Sequence, residues 1–371
     1  MQKARCQQLL SRIPSRLIGM NDGLTTLQFI QLTVNPRNVE HLQGGTQDNG
    51  TWENQRGQTR TWRNTMIGDG GWGGFDARLD NVRYHSFFDV SPEVSFNRGD
   101  IGSWIWTADP LFGHAGSQFY APIMPDPKVS GTVYAGTGST VYRTKTFGIG
   151  NRSFADANKI CNTWIGTFEA QCGDYEPLGS TPLSGPTNVN DGDAIAQVER
   201  TEADTSTLWA ASTTGRLWVT KNADAEPASS VTWTRLDDDA TNDPNRFISS
   251  VYVDPANPNR AYVSYSGYNM TTPTTPGHVF RVDFNGTTAT WTDMSYDLRD
   301  LPVNDLVLDP VTRDLYAATD FGVLKLAAGT QTWTRAARGM PNVEVAGLTI
   351  RPGERVLYAA THGLAAWRLN L

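Results

Sequence analysis

The chain repeats one short phrase. Leu315-Tyr316-Ala317-Ala318-Thr319-Asp320 returns 42 residues later as Leu357-Tyr358-Ala359-Ala360-Thr361-His362, and each copy follows a proline turn, Asp309-Pro310 or Arg351-Pro352. Looser copies stand at Leu42-Gln43-Gly44-Gly45-Thr46, Val133-Tyr134-Ala135-Gly136-Thr137, Leu208-Trp209-Ala210-Ala211-Ser212 and Ala261-Tyr262-Val263-Ser264. A repeat of this length, built of short strands and turns, cannot bury its apolar face alone. Copies must stack side by side or around an axis.

The unit is clearest between Val303 and Trp333. Val303–Leu308 alternates as a strand, Leu315–Thr319 makes a second, Val323–Leu326 a third, and the stretch around Trp333 a fourth. Alternation with a period of two between turn signals is the mark of a strand, and four antiparallel strands per unit make a propeller blade. The abundance of turn formers, Gly 35 and Pro 20, agrees with an all-β chain. The same grammar places first strands near Phe29–Val34, Gly74–Asp76, Phe119–Ile123, Ala194–Val198, Ile248–Val253, Val303–Leu308 and Val345–Ile350. The expectation is one seven-bladed β-propeller over residues 15–371, with residues 1–14 as an extension and an insertion from about Phe147 to Asn190. The last unit ends at its third strand, Ala366–Leu369. Leu17-Ile18, followed by Asn21-Asp22-Gly23-Leu24, aligns with the stretch from Trp333 to Met340 and is expected to supply its fourth strand. Such a closure leaves no open sheet edge.

Several partners are argued against. The formal net charge is −7 with no basic stripe, which disfavours nucleic acid. No apolar stretch reaches the roughly 20 residues needed to cross a bilayer, and the first 20 residues lack the apolar core of a signal peptide. Five histidines, none at ligand spacing to a second histidine or a cysteine, argue against a zinc site. Asn188–Asp193 offers oxygen ligands but lacks a full calcium loop and reads as a solvated acidic turn. No cofactor motif appears, and no metal or cofactor is expected. Cys161 and Cys172 suit either a loop-stapling disulfide or two thiols, and Cys6 looks unpaired.

The phrases Asn21-Asp22-Gly23-Leu24, Gly45-Thr46-Gln47-Asp48-Asn49-Gly50-Thr51, Gly68-Asp69-Gly70-Gly71, Ala318-Thr319-Asp320-Phe321-Gly322 and Thr361-His362-Gly363 resemble the sortilin-like and bacterial-neuraminidase-repeat propellers. That superfamily includes the xyloglucan-specific glycoside hydrolases. Remnants of its aspartate box survive at Ser230–Trp233 and Gly329–Trp333. The resemblance implies the C-terminal member of a pair of propellers, each supplying one essential carboxylate, so that this chain alone would hold half of a catalytic pair. It also implies a secreted-type protein, extracellular or periplasmic, monomeric or part of a larger two-propeller chain.

In an up-and-down meander, turns between second and third strands share a face with the links between blades. That face is expected to carry Gln47, Asp48, Asp69, Asp191, Asp193, Asp320 and His362, with Asp254 and Asp309 on the opposite side. The turn position reads Gln47, Gly138, Thr213, Asp320 and His362 in different blades, fixed flanks around varying chemistry, as a binding face would show. Asp69 is the sharpest candidate. By resemblance it matches a catalytic carboxylate, and Trp72 beside it suits a sugar ring; its alternative is a turn aspartate accepting backbone N–H bonds. A glycosidase needs two carboxyls, about 5 Å apart if retaining, and Asp69 and Asp320 fall on distant blades. Trp233, Trp291 and Trp333 recur in phase and read as core. Trp104 and Trp106, in an irregular stretch with Phe112 and His114, could line a glycan cleft, and lean toward core. The first functional reading is a propeller binding polysaccharide or extracellular protein through Gln47, Asp48, Trp72, Asp320 and His362, without catalysis in isolation. The second is a polysaccharide hydrolase using Asp69, and the third is a protein–protein platform.

Overall fold

A computed structural model describes residues 26–54, 61–113, 116–185 and 193–371. It holds seven antiparallel sheets. Blade 1 is β1 (Phe29–Asn35), β2 (Asn38–Thr46), β3 (Gly50–Asn54) and β4 (Trp62–Met66); blade 2 is β5 (Gly73–Phe75), β6 (Arg83–Ser86), β7 (Pro92–Ser95) and β8 (Trp104–Trp106). Blade 3 runs β9 (Ile123–Pro125), β10 (Val133–Gly136), β11 (Val141–Thr144) and β12 (Glu176–Pro177), with helix α1 (Phe154–Cys161) between its last two strands. Blade 4 is β13 (Ile195–Glu199), β14 (Leu208–Ser212), β15 (Leu217–Thr220) and β16 (Thr234–Arg235). Blade 5 is β17 (Ile248–Val253), β18 (Arg260–Tyr265), β19 (Val279–Phe284) and β20 (Ala289–Asp293). Blade 6 is β21 (Val303–Leu308), β22 (Leu315–Thr319), β23 (Gly322–Leu326) and β24 (Trp333–Arg335), and blade 7 is β25 (Val345–Arg351), β26 (Val356–Thr361) and β27 (Ala366–Asn370).

First strands of consecutive blades pack side by side in an unbroken circuit, β25 returning to β1. The seven-bladed ring is therefore the architecture the repeat demands. The expected closing strand near Leu17 and the segment Asn21–Leu24 lie outside the described residues, as do Cys6, His114 and Asp191.

Two boundaries differ from expectation. Phe119 and Tyr120 belong to the link before β9, because Asp89 N–H donates to the Phe119 carbonyl at 2.8 Å and holds that stretch against blade 2. The insertion also contains blade 3's fourth strand, β12, which pairs with β11 at Tyr142 and Arg143. Helix α1 is capped by the Ser153 hydroxyl, which accepts from Asp156 N–H. Cys161 at its end is bridged to Cys172, with Cα atoms 5.7 Å apart.

The repeated phrase has a packing cause. Every second strand is buried on both faces, between its own blade's first strand and the neighbouring blade, so its centre must be small. Ala210, Ala211, Ala317, Ala318 and Ala360 have no exposed surface. Where glycine stands instead, the fit is tighter still: a Cβ on Gly136 would lie 2.5 Å from the Ile195 side chain in the next blade.

Polar contacts fasten the joints at two levels. On the side of the first-to-second-strand turns, Asp126 pairs with Arg200 of the next blade at 2.8 Å, with both side chains essentially buried. Asp254 pairs likewise with Arg313, and Asp309 with Arg355. At the joint that closes the ring, Arg351 stands where Asp309 stands one repeat earlier and donates to the Pro36 carbonyl at 2.8 Å. At the outer rim, indole N–H groups latch each blade to the one before it: Trp104 to the Thr65 carbonyl, Trp233 to Leu178, Trp291 to Leu236 and Trp333 to Met294, at 2.8–3.0 Å. Trp104 is thus core, in phase with the other three.

Arg200→Met leaves Asp126 as a buried, uncompensated charge and should cost about 3–5 kcal/mol of unfolding free energy in denaturant melts. The partly exposed Asp309–Arg355 pair should matter less and show in acid. Against the cost of its burial, the Arg355 hydrogen bond and neighbouring N–H and O–H donors pull the Asp309 carboxyl down to about 2. Its contribution is present above the ordinary aspartate range and lost as pH falls toward 2. Asp309→Asn should lower the melting temperature at pH 7 and flatten that acid decline.

Candidate functional site

The turn between β2 and β3 carries Gln47, Asp48 and Asn49, all exposed. Against it lies the link from β4 to β5, containing Gly68-Asp69-Gly70-Gly71. The Asp48 N–H donates to Asp69 Oδ1 at 3.0 Å, and the Tyr120 hydroxyl donates to the same oxygen at 3.1 Å. Gly70 N–H donates to the Thr46 carbonyl at 3.0 Å. The glycines serve this backbone contact: a Cβ on Gly70 would sit 2.3 Å from the Gly50 carbonyl oxygen, and one on Gly45 would sit 2.1 Å from that of Gly71. Asp69 therefore pins a link to a turn with one oxygen. Its Oδ2 accepts no hydrogen bond among the described residues. Partial burial, then the Asp69 carboxylate, pushes the Tyr120 phenol above its ordinary range and keeps it a donor.

Trp72 is half-buried, packed on the core that blades 2 and 3 share. Asp320 sits in the turn between β22 and β23, where Asn304 Nδ2 donates to its Oδ1 at 3.3 Å. His362 follows β26, flanked by the Gln28 amide and by Glu344 Oε2 at 3.3 Å. The meander puts Gln47, Asp48, Asp69, Asp320 and His362 on the side opposite Asp254 and Asp309, which lie in turns between first and second strands. It assembles Asp48, Asp69 and Tyr120 into one group. Asp320 and His362 belong to others, and no hydrogen bond joins either of them to Asp69 among the described residues. Asp193 fastens its own blade, accepting from Gly185 N–H and pairing with Arg216 at 3.9 Å.

A cluster of rings beside Asp69 was only partly visible in the sequence, which points to Phe112 beside Trp106, 5.4 Å apart here, but not to Phe87, Phe88 and Phe119 as its partners. Phe88 and Phe119 stack with centroids 6.0 Å apart and planes 23° from parallel. Phe112 meets Phe88 edge-on at 6.4 Å, Phe87 lies 4.8 Å from Phe88, and Phe119 lies 4.8 Å from Tyr120. Phe88 is 37% exposed, Phe112 49% and Phe119 54%. The available signal was the pairing of aromatics, Phe87-Phe88 and Phe119-Tyr120, close to turn residues.

Carboxyls that burial pushes upward lie elsewhere. Glu93, raised to about 7, is enclosed in blade 2 with the Thr163 hydroxyl donating to it. Glu199, raised to about 8, and Asp305, raised to about 6, stand on the first strands β13 and β21. Among the described residues, no group of three His, Cys, Asp or Glu side chains is arranged to hold a metal ion, and no helix is long and apolar enough to cross a membrane.

Neither a protein-family model nor a curated protein matches the sequence. Solved structures do match in shape. The GH74 xyloglucanase from Xanthomonas campestris superposes with a TM-score of 0.62 at 13% identity, covering 94% of this chain and 52% of that one. The chain thus spans about half the length of the xyloglucanase. The β-propeller domain of Cps50 (Swd1) from Myceliophteria thermophila gives 0.58 at 10% identity, covering 92% of this chain and 96% of that domain. At these identities the likeness is one of fold: this is a seven-bladed propeller.

Asp69→Ala removes the acceptor for both donors and should cost about 1–2 kcal/mol, with faster amide exchange at Asp48 read by NMR. Asp69→Asn keeps an oxygen there and should cost less.

Proposed function

We propose that this chain is a non-catalytic recognition propeller that binds glycan or protein on the face holding Asp48, Asp69 and the Phe88–Phe119 rings. The exposed ring cluster, continuous with a carboxylate that has one oxygen free, carries the reading. Apolar patches at a solvent face mark interaction sites, and loops on a rigid repeat scaffold are where such sites are built. Gln47, Trp72, Asp320 and His362 extend the face around the ring. The disulfide between Cys161 and Cys172 supports an oxidising compartment, extracellular or periplasmic.

The second reading is a polysaccharide hydrolase, favoured by the coverage of nearly the whole chain by the xyloglucanase fold. Membership of the sortilin-like and neuraminidase-repeat superfamily would accompany it. In that case Asp69 is one of two carboxylates, and the other comes from a second propeller. A general acid in such a site must hold a proton near neutral pH. Of the carboxyls that burial raises, Glu93 is inside blade 2, Glu199 and Asp305 stand on first strands, and Asp243, in the link between blades 4 and 5, is held by the Tyr265 hydroxyl. None belongs to the group around Asp69, and this favours binding over catalysis.

A reducing-end assay with xyloglucan and other β-glucans, run on the chain alone and on the chain joined to a second propeller of the xyloglucanase type, decides between them. The wild-type chain should release no more ends than Asp69→Asn. Turnover that Asp69→Asn abolishes while the fold stays intact establishes the hydrolase and ends the recognition reading.

A further inference from the structure

On the recognition reading, the partner's chemistry is still open, and the ring cluster constrains it. We propose that the Phe88–Phe112–Phe119 surface docks a cationic protein segment, with arginine or lysine side chains laid across the rings and apolar neighbours filling between them.

Charge complementarity is the argument. The described segments that build the surface, residues 47–49, 66–72, 86–91, 107–113 and 116–122, contain Asp48, Asp69, Asp89 and Asp109 and no lysine or arginine. Asp109 is occupied within the fold, accepting from the Trp106 indole at 2.7 Å and from Cys172 N–H at 2.6 Å. The other three border the rings. Asp89 reaches Phe119 through its backbone, and Asp69 is bound to Tyr120, whose ring touches Phe119. The Asp48 and Asp89 carboxylates and Asp69 Oδ2 accept no hydrogen bond among the described residues. Ring faces carry the negative part of their quadrupole, so rings and carboxylates here both favour positive charge. A guanidinium serves both at once, stacking on a ring and donating to a carboxylate.

A sugar fits less well. Phenylalanine rings offer no hydrogen bond to hydroxyls, and although the carboxylates accept from hydroxyls, a neutral sugar leaves their negative charge uncompensated where an arginine or lysine neutralises it. Exposed aromatics that receive an arginine and apolar neighbours have the make-up of a protein-binding hot spot.

The test uses the full chain and two amidated peptides: one with two arginines flanked by leucines, and its twin with citrulline in their place. Xyloglucan oligosaccharide is the third probe. Calorimetry should show the arginine peptide binding, with affinity weakened about tenfold or more by citrulline, a change of the size expected for one or two cation–π contacts and an ion pair. Affinity should also fall as salt rises, as for exposed charges. Phe119→Ala and Asp89→Asn, both at solvent-facing positions, should each weaken it severalfold while the melting temperature holds. Met270→Ala, 81% exposed on blade 5, should leave it unchanged. Equal binding of the citrulline twin, or no binding of either peptide, overturns the proposal. Oligosaccharide binding that Phe119→Ala removes, without peptide binding, also overturns it yet leaves the recognition reading standing. Glucan turnover dependent on Asp69 brings down both.

Discussion

Everything in this ring depends on how closely one blade can approach the next at its second strand. That strand is covered on both faces, so the separation of neighbouring sheets is set by what projects from its centre. Alanine or glycine there lets the larger residues of adjacent strands, such as Phe29, Ile195 and Tyr316, fill the gap. Interiors pack near crystal density, and one extra methylene at such a point must be absorbed by shifting a whole blade. The ion pairs and indole latches come afterwards. They fix the twist and tilt of blades whose spacing is already decided.

This is why the ring was legible from the sequence and the site was not. Small residues sandwiched between blades recur as Ala317-Ala318, Ala359-Ala360 and Ala210-Ala211, with Gly44-Gly45 and Ala135-Gly136 in their place in blades 1 and 3, a pattern visible because packing repeats. First strands were found within a residue or two except in blade 3, where Phe119 and Tyr120 alternate like a strand but are drawn away by Asp89. The fourth strand of that blade is two residues long and follows a helix and a disulfide loop, so no local periodicity marks it. Trp104 looked irregular because the strands of blade 2 are only three or four residues long, although its indole makes the same latch as Trp233, Trp291 and Trp333.

At the face, resemblance pointed to Asp69 for its glycines. The structure gives those glycines to backbone contact between a turn and a link, a use open to any carboxylate-capped turn. What distinguishes the place is the company of Phe88, Phe112 and Phe119, which come from three separate connections and meet only in the folded ring. A pattern of that kind has no spacing in the sequence to betray it. The two similar folds, one from a polysaccharide-degrading enzyme and one from a propeller domain of another sort, show that the scaffold leaves function to such turns.

The replacement of aspartate by Arg351 at the closing joint has a consequence for how the ring comes apart. The 2–3, 3–4, 5–6 and 6–7 joints are held partly by the carboxylates of Asp76, Asp126, Asp254 and Asp309. Among the described residues, the 7–1 seam relies mainly on neutral acceptors, the carbonyls of Leu27, Leu32, Pro36 and Val39, receiving from Ala365 N–H, Thr349, Arg351 and Tyr358, with the Gln28–His362 contact and the exposed Arg368–Glu40 pair beside them. Protons that discharge the carboxylates leave those carbonyls untouched. In strong acid the joints held by carboxylates therefore lose a support that the described part of the 7–1 seam keeps.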